Sequence, residues 1–268
     1  MAEGPPIVLT IAGFDPSSGA GVTADIKTIA TLGCYGVAAI TALTVQSTAG
    51  VRRVQPVDPQ LLTDSLNELM RDVKVSAVHI GMLGSADSAE QVAGFLEHYR
   101  PPNVVVDPVL KSSSGASLLD QGGSKILIQK LLSIANVITP NVDEASALTG
   151  LVVRNPEQME QAARRLHEIG AKAVVVTGGH LDRAVDVLSI DREGAQTFEA
   201  EKVESKNTHG TGCAFSTAIA CHLALGQSLP AAVQLAKSYV LQAIRDGYLI
   251  GKGPGPVNHM GGRKNREE

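Results

Sequence analysis

An α/β fold, with a mostly parallel central sheet covered by helices on both faces, is predicted by three observations. Short β-branched runs alternate with longer helical patterns along the whole chain. The short runs are continuously apolar, as strands buried on both faces are. Polar or glycine-rich loops follow these runs, at the strand ends where open parallel sheets gather their ligands.

The elements follow in order. Residues 7–12 (IVLTIA) make a first strand, and 20–32 a helix entered through glycines. Residues 37–45 (VAAITALTV) make a long second strand, 54–57 (VQPV) a short edge piece, and 60–72 a helix. The runs 77–80 (AVHI), 104–106 (VVV), 137–139 (VIT) and 173–177 (AVVVT) are strands in an α/β alternation, with helical patterns at 86–99, 121–132, 143–149 and 156–169 between them. A strand at 185–190, an edge piece at 197–200 and helices at 213–225 and 230–246 complete the pattern. No internal repeat or linker interrupts it, so residues 1–260 are expected to form a single domain. The polar end 261–268 (GGRKNREE) is expected to be a flexible tail.

Composition narrows the class of function. With 44% apolar and 19% charged residues, the 268-residue chain can bury a sizeable core, and disorder is disfavoured. A net charge of −4 and only 3% aromatic residues leave no basic stripe for nucleic acid. The three cysteines (Cys34, Cys213 and Cys221) form no CxxC pair, which argues against a disulfide framework or a zinc site. The start MAEGPPIVLTIAG has no basic segment, and its apolar run is one strand long; neither a signal peptide nor a membrane span is expected. A cytoplasmic setting follows as the expectation.

The most informative stretch is 205–226 (SKNTHGTGCAFSTAIACHLALG), where Gly210-Thr211-Gly212 runs into an apolar helix beginning near Cys213. Such a turn aims free backbone N–H groups at one point with the helix dipole behind them, a site for a phosphate. A cysteine there is expected to have a lowered pKa and thiolate character. Cys34 and Cys221 read as packing residues, while His209 and His180 beside glycines suit either a phosphate loop or simple hydrogen bonding.

Other motifs weigh less alone. Residues 19–24 (GAGVTA) fit a dinucleotide glycine pattern, but no Asp or Glu lies between Asp25 and Asp58 to hold a ribose, so an oxidoreductase fails. Residues 247–252 (GYLIGK) are one residue short of a Walker A loop and lack its Ser or Thr. Asp25, on the first helix, can either face a substrate ring or be a solvated helix acid. Asn141-Val142-Asp143-Glu144 after a strand suits Mg²⁺ beside phosphates, or is simply an N-cap with acids in the first turn.

Taken in order, AGFDPSSGAGVTADIKT, ALTVQST, IGMLGS, VVVDPV, ITPNVDEA, VTGGH, KNTHGTGC and GKGPGPVNH resemble the ribokinase-like superfamily, and more closely the hydroxymethylpyrimidine/phosphomethylpyrimidine kinases of thiamine biosynthesis. The resemblance implies a three-layer α/β/α sandwich that uses ATP and Mg²⁺ to phosphorylate a hydroxymethyl group, and then the resulting phosphate ester. It implies a pyrimidine pocket lined by Asp25, Gln46 and Met82 with Gly13 and Val109 nearby, and an anion hole at Gly210, Thr211 and Gly212. Cys213 would be the base, standing where most of the superfamily has Asp. Asn141 and Glu144 would hold Mg²⁺ and phosphates, with Asp107 beside metal and phosphate. One departure stands out: where related enzymes carry a phosphate-contacting Lys before the GGH turn, this chain has Thr177, followed by Gly178 and Gly179; Lys111 or Lys206 are the replacements to consider. The resemblance also implies a homodimer. Two alternatives remain: a pyridoxal/pyridoxine kinase on the same scaffold, and a ligand-binding regulatory protein with impaired catalysis. Residues 108–117 (PVLKSSSGAS) have the composition of a lid.

Overall fold

Nine strands lie side by side in the order β3-β2-β1-β4-β5-β6-β7-β8-β9. The computed structural model describes residues 4–112, 114–179 and 184–261. Among these, β1 (Ile7–Phe14) sits between β2 (Tyr35–Ser47) and β4 (Val75–Ile80), parallel to both. The parallel run continues through β5 (Val104–Val106), β6 (Val137–Ile138) and β7 (Ala173–Gly178). Both edges are antiparallel: β3 (Gly50–Pro56) folds back on β2, and β8 (Ala184–Ile190) and β9 (Gly194–Ala200) extend the other side. The two short pieces expected at the edges are therefore the outermost strands.

Side-chain alternation sorts the strands into two cores. Leu9, Ile11, Val78, Ile80, Val104, Val106, Val174 and Val176 point to one face. There α2 (Pro59–Asp72), α3 (Ala86–Tyr99), α6 (Val142–Thr149) and α7 (Pro156–Ile169) cover them. The intervening Val8, Ala77, Val105 and Val175 point the other way, onto α8 (Thr211–Ala224) and α9 (Leu229–Arg245), with Ile29 of α1 (Gly21–Thr31) beside them. This is the expected three-layer α/β/α arrangement. The expected helix 121–132 is instead α4 (Gln121–Ile126), a π turn at Leu127–Leu131 and α5 (Leu132–Ile134). The last residues, 262–268, and His180 lie outside the described residues.

The topology reverses direction at β1: the chain first adds strands on one side of it, then crosses to β4 on the other. The loops leaving the C-terminal ends of β1 and β4 diverge there, which opens a crevice at the switch point. Among the described residues, no helix is long and apolar enough to cross a membrane.

Candidate active site

Helix α8 begins two residues before the expected start, because Gly210 supplies its N-cap in a left-handed conformation (φ 85°). A Cβ on Gly210 would lie 1.8 Å from the carbonyl oxygen of Gly19, so only glycine lets the β1–α1 loop dock on this turn. The backbone N–H groups of Gly212 and Cys213 have no acceptor among the described residues, while that of Ala214 bonds Gly210. Two free donors at the positive end of a helix dipole are the arrangement that an anion hole requires.

The loop from β1 is fastened from two sides. The Asp15 carboxylate accepts hydrogen bonds from Ser17 N and Oγ (2.8 and 2.6 Å) and Ala20 N (3.0 Å), and lies 2.9 Å from His209 Nε2. Burial works to raise the Asp15 carboxyl, but the His209 and Ser17 hydrogen bonds bring it below its ordinary value. His259, buried near the chain's end, holds the Gly19 carbonyl at 3.0 Å through Nε2. His209 thus has a hydrogen-bonding role in the loop, one of the two readings open to it.

Cys213 is half-buried in the first turn of α8, with the backbone N–H of Gly21 directed at its sulfur. The N-termini of α1 and α8 therefore meet at this thiol. The expected thiolate is not what the surroundings favour. Burial first, then the charges of Asp25, Asp107 and Asp15, push the thiol well above its ordinary pKa, outweighing the Gly21 hydrogen bond. The helix terminus was visible in the sequence; the three carboxylates that converge on it were not.

Asp107 follows β5, and a Cβ built on Gly212 would meet its Oδ2 at 3.7 Å, so the carboxylate lies beneath the anion hole. Burial raises Asp107 to about 6, against the opposing effects of His79 and Ser216. Asn141 and Glu144 form a full capping box on α6: Asn141 Oδ1 accepts from Asp143 N and Glu144 N (both 2.9 Å), and Glu144 Oε2 accepts from Asn141 N (3.0 Å). The capping alternative is therefore realised, and the carboxylate still faces Asp107. Burial, followed by the charge of Asp107, raises Glu144 to about 8. Two buried carboxylates that disfavour each other's charge suit a hard divalent cation. No cluster of three or more His, Cys, Asp or Glu among the described residues is arranged to hold a metal alone. This donor set fits Mg²⁺, which retains waters and phosphate oxygens.

Across the crevice, Gly13 and Met82 touch: a Cβ on Gly13 would lie 2.8 Å from Met82 Sδ. Met82 packs with Ala42 and Leu118, and Val109 joins the same cluster. Gln46 Oε1 lies 3.1 Å from the Thr44 hydroxyl, itself 3.0 Å from the Phe14 carbonyl, which ties Gln46 to the end of β1. Four of the five expected pocket residues thus gather at the ends of β1, β2, β4 and β5. A cavity of about 490 Å³ lies beside them, between the β2–β3 tip at Ser47 and Gly50 and the loop at Ser114 and Gly115. This loop belongs to the lid-like stretch expected at 108–117. A larger surface hollow of about 680 Å³ lies near the start of β2, at Ala38, Asp64 and Glu68, away from these strand ends.

Asp25 is the exception. It has no exposed surface, and its oxygens accept hydrogen bonds from Thr10 (2.7 Å) and Thr217 (2.9 Å) with His79 Nδ1 at 3.4 Å. Helix α1 turns it onto the sheet beneath α8, so it does not line a pocket. His79, Thr10, Thr217 and Ser216 escaped the sequence reading; the available signal was a polar residue inside an otherwise apolar run.

Thr177 sits beside Asn141 at the end of β7, its N–H bonded to the Pro140 carbonyl (2.9 Å), and Gly179 beyond it is exposed and open. Lys111 and Lys206 are both exposed, and among the described residues no hydrogen bond or ion pair joins either ammonium to the site. The turn instead has a buried cation behind it. Lys237 of α9 pairs with Asp186 (2.6 Å), whose other oxygen accepts the Gly178 N–H (3.1 Å).

A family model described as phosphomethylpyrimidine kinase matches residues 15–258, a span that includes Gln46, Met82, Asp107, Asn141, Glu144 and Cys213. The chain belongs to the phosphomethylpyrimidine kinase family. It is 45% identical over 255 residues to the thiamine biosynthesis bifunctional protein ThiED of Geobacter sulfurreducens, covering 94% of this chain but 52% of that relative's length. It is 41% identical over 260 residues to a hydroxymethylpyrimidine/phosphomethylpyrimidine kinase of Staphylococcus aureus, covering 96% of this chain and 94% of the relative. Its fold also matches an ADP complex of Bacillus subtilis pyridoxal kinase, with a TM-score of 0.89 and 34% identity, over 97% of this chain and 100% of that one. The ribokinase-like expectation is met, and the family is a kinase family.

Proposed function

We propose that this chain transfers the terminal phosphoryl group of ATP to hydroxymethylpyrimidine, to its monophosphate, or to both, in thiamine biosynthesis. The observation that carries this reading is the convergence, in a phosphomethylpyrimidine kinase relative, of the α8 anion hole, Cys213 and Asp107 at the end of a crevice lined by Gly13, Gln46, Met82 and Val109.

Phosphoryl transfer is mainly positioning and charge stabilisation. The N–H groups of Gly212 and Cys213 hold charge on the transferring group, with Gly210 and Thr211 shaping the turn. Asn141, Thr177 and Gly179 line the nucleotide side, with Lys206 the nearest cation in sequence to the anion hole. Asp107 and Glu144, with Asn141 beside them, would hold Mg²⁺, which when bound neutralises phosphate charge. Cys213 accepts the acceptor's hydroxyl proton once the negative charge around it is countered; in the resting chain it is a thiol. A loose transition state lets that proton leave late, so a strong base is not required.

A second reading, phosphorylation of pyridoxal, is favoured by the likeness to the Bacillus enzyme. Incubating the protein with MgATP and, in parallel, hydroxymethylpyrimidine, its monophosphate and pyridoxal separates the two. Turnover of a pyrimidine with little on pyridoxal supports the first reading, and the reverse selects the second. Binding without turnover would make Thr177 the leading explanation and the chain a regulatory protein. The reading includes a cytoplasmic homodimer. Exposed Leu43 and Val45 on β2 support the association, and light scattering measures it.

A further inference from the structure

Behind the anion hole, polar side chains form an unbroken chain from the interior to Asp107. The Thr10 and Thr217 hydroxyls each have one proton, and each lies within bonding distance of an Asp25 oxygen (2.7 and 2.9 Å). With those protons given to the carboxylate, both hydroxyl oxygens turn lone pairs toward His79 Nδ1, 3.3 Å from each. Asp25 Oδ2 lies 3.4 Å from the same nitrogen. Nδ1 faces only acceptors, so it carries a hydrogen.

The other ring nitrogen faces a hydroxyl, which can donate or accept. Nε2 lies 2.9 Å from Ser216 Oγ. That hydroxyl also lies 3.0 Å from the Gly212 carbonyl, 3.2 Å from the Cys213 carbonyl and 3.3 Å from Asp107 Oδ2. Three oxygens can accept that one proton, and Asp107 is the one of them that can carry charge. With the serine proton on one of these oxygens, the ring donates through Nε2. His79 and Ser216 have no exposed surface, so water replaces none of these partners. Burial alone would lower His79, but the Asp25 charge and hydrogen bond, with Asp107 behind, raise it above its ordinary value.

We propose that His79 is a positioning residue for phosphoryl transfer: a buried imidazolium anchored on Asp25, it aims the Ser216 hydroxyl at Asp107 and so fixes that carboxylate beneath the anion hole. A neutral ring would take the serine proton itself and leave Asp107 without this partner. The proposal rests on the reading of Asp107 as part of the transfer site.

Two measurements test it. The first is the ¹⁵N spectrum of histidine-labelled protein without substrate, with the His79 signals assigned by their loss in His79→Gln. Two protonated ring nitrogens at neutral pH are expected, and a neutral ring overturns the proposal. The second is steady-state kinetics of His79→Gln, Ser216→Ala and the double variant. Each single variant is expected to lower kcat about tenfold, the loss of one charge-assisted hydrogen bond. KM for ATP and acceptor should stay within about twofold, and the double variant should be no worse than the weaker single one. Multiplying losses, losses confined to KM, or an unchanged Ser216→Ala overturn it. Ser216→Ala leaves the Asp25–His79 pair intact and carries the kinetic test if His79→Gln folds poorly. Failure of the wild type to phosphorylate any of the three acceptors marks the failure of the kinase reading, and the positioning role falls with it. An active wild type with a neutral ring marks the failure of this inference alone.

Discussion

Asp25 stays buried because two hydroxyls and an imidazole face its carboxylate, so its removal strands His79 in the core. Removing one partner of a buried pair costs about 3–5 kcal/mol. Asp25→Ala is expected to lose that much in urea unfolding; a loss confined to pyrimidine affinity would return Asp25 to the pocket. Cys213 is the opposite case, a residue whose position was legible and whose protonation state was not. Because burial and neighbouring carboxylates hold it as a thiol, iodoacetamide should alkylate it more slowly at neutral pH than a free cysteine. Fast alkylation would restore the thiolate. Cys213→Ala is expected to lower kcat at least about 100-fold, the usual scale of proton-transfer catalysis, with substrate binding retained. Near-normal turnover would remove the residue from proton transfer.

At the scale of the element, α6 carries a conflict between folding and function. Its N-terminus is well capped, yet Glu144 is buried beside Asp107 and raised from 4.5 to about 8. The folded chain holds this proton over a range where the unfolded chain has released it. Stability from this group is therefore greatest below about pH 4.5 and falls as pH rises through about 8. Glu144→Gln keeps an acceptor for the Asn141 N–H and removes the slope. The substrate-free variant is expected to melt roughly 2–4 °C above wild type at alkaline pH for each kcal/mol relieved, and to transfer phosphate more slowly. A melting curve that follows wild type at every pH would show that Glu144 is not strained by burial. On α8, the sequence GTGC fixed the turn because Gly210 alone tolerates both its φ and the approach of Gly19.

At the scale of the molecule, the proposed function brings nucleotide, metal and acceptor together where loops from distant parts of the chain meet at the switch point. A ligand that binds only the folded state stabilises it, by about 2.7 kcal/mol at a hundredfold excess over Kd. MgATP is expected to raise Tm, and chelation by EDTA to cancel most of that rise. A shift indifferent to EDTA would remove Asp107 and Glu144 from the metal site. The edge strands and helix layers behind this arrangement were readable one by one. Continuous apolar runs such as VVV and AVVVT announce strands covered on both faces, and glycine turns announce helix starts.

The sequence by itself determined the order of elements, the α/β class, the glycine turn at Gly210–Gly212 that starts α8 and the capping motif at Asn141. These depend on residues near one another in the chain, where periodicity and backbone freedom act locally. Only the tertiary structure decided that Asp25 faces inward, that Cys213 is ringed by carboxylates, and that His79 of β4 reaches Ser216 of α8, 137 positions away. The reason is physical. A side chain's charge state and partners depend on burial and on groups brought in from other strands and helices, and no local pattern records which groups those are.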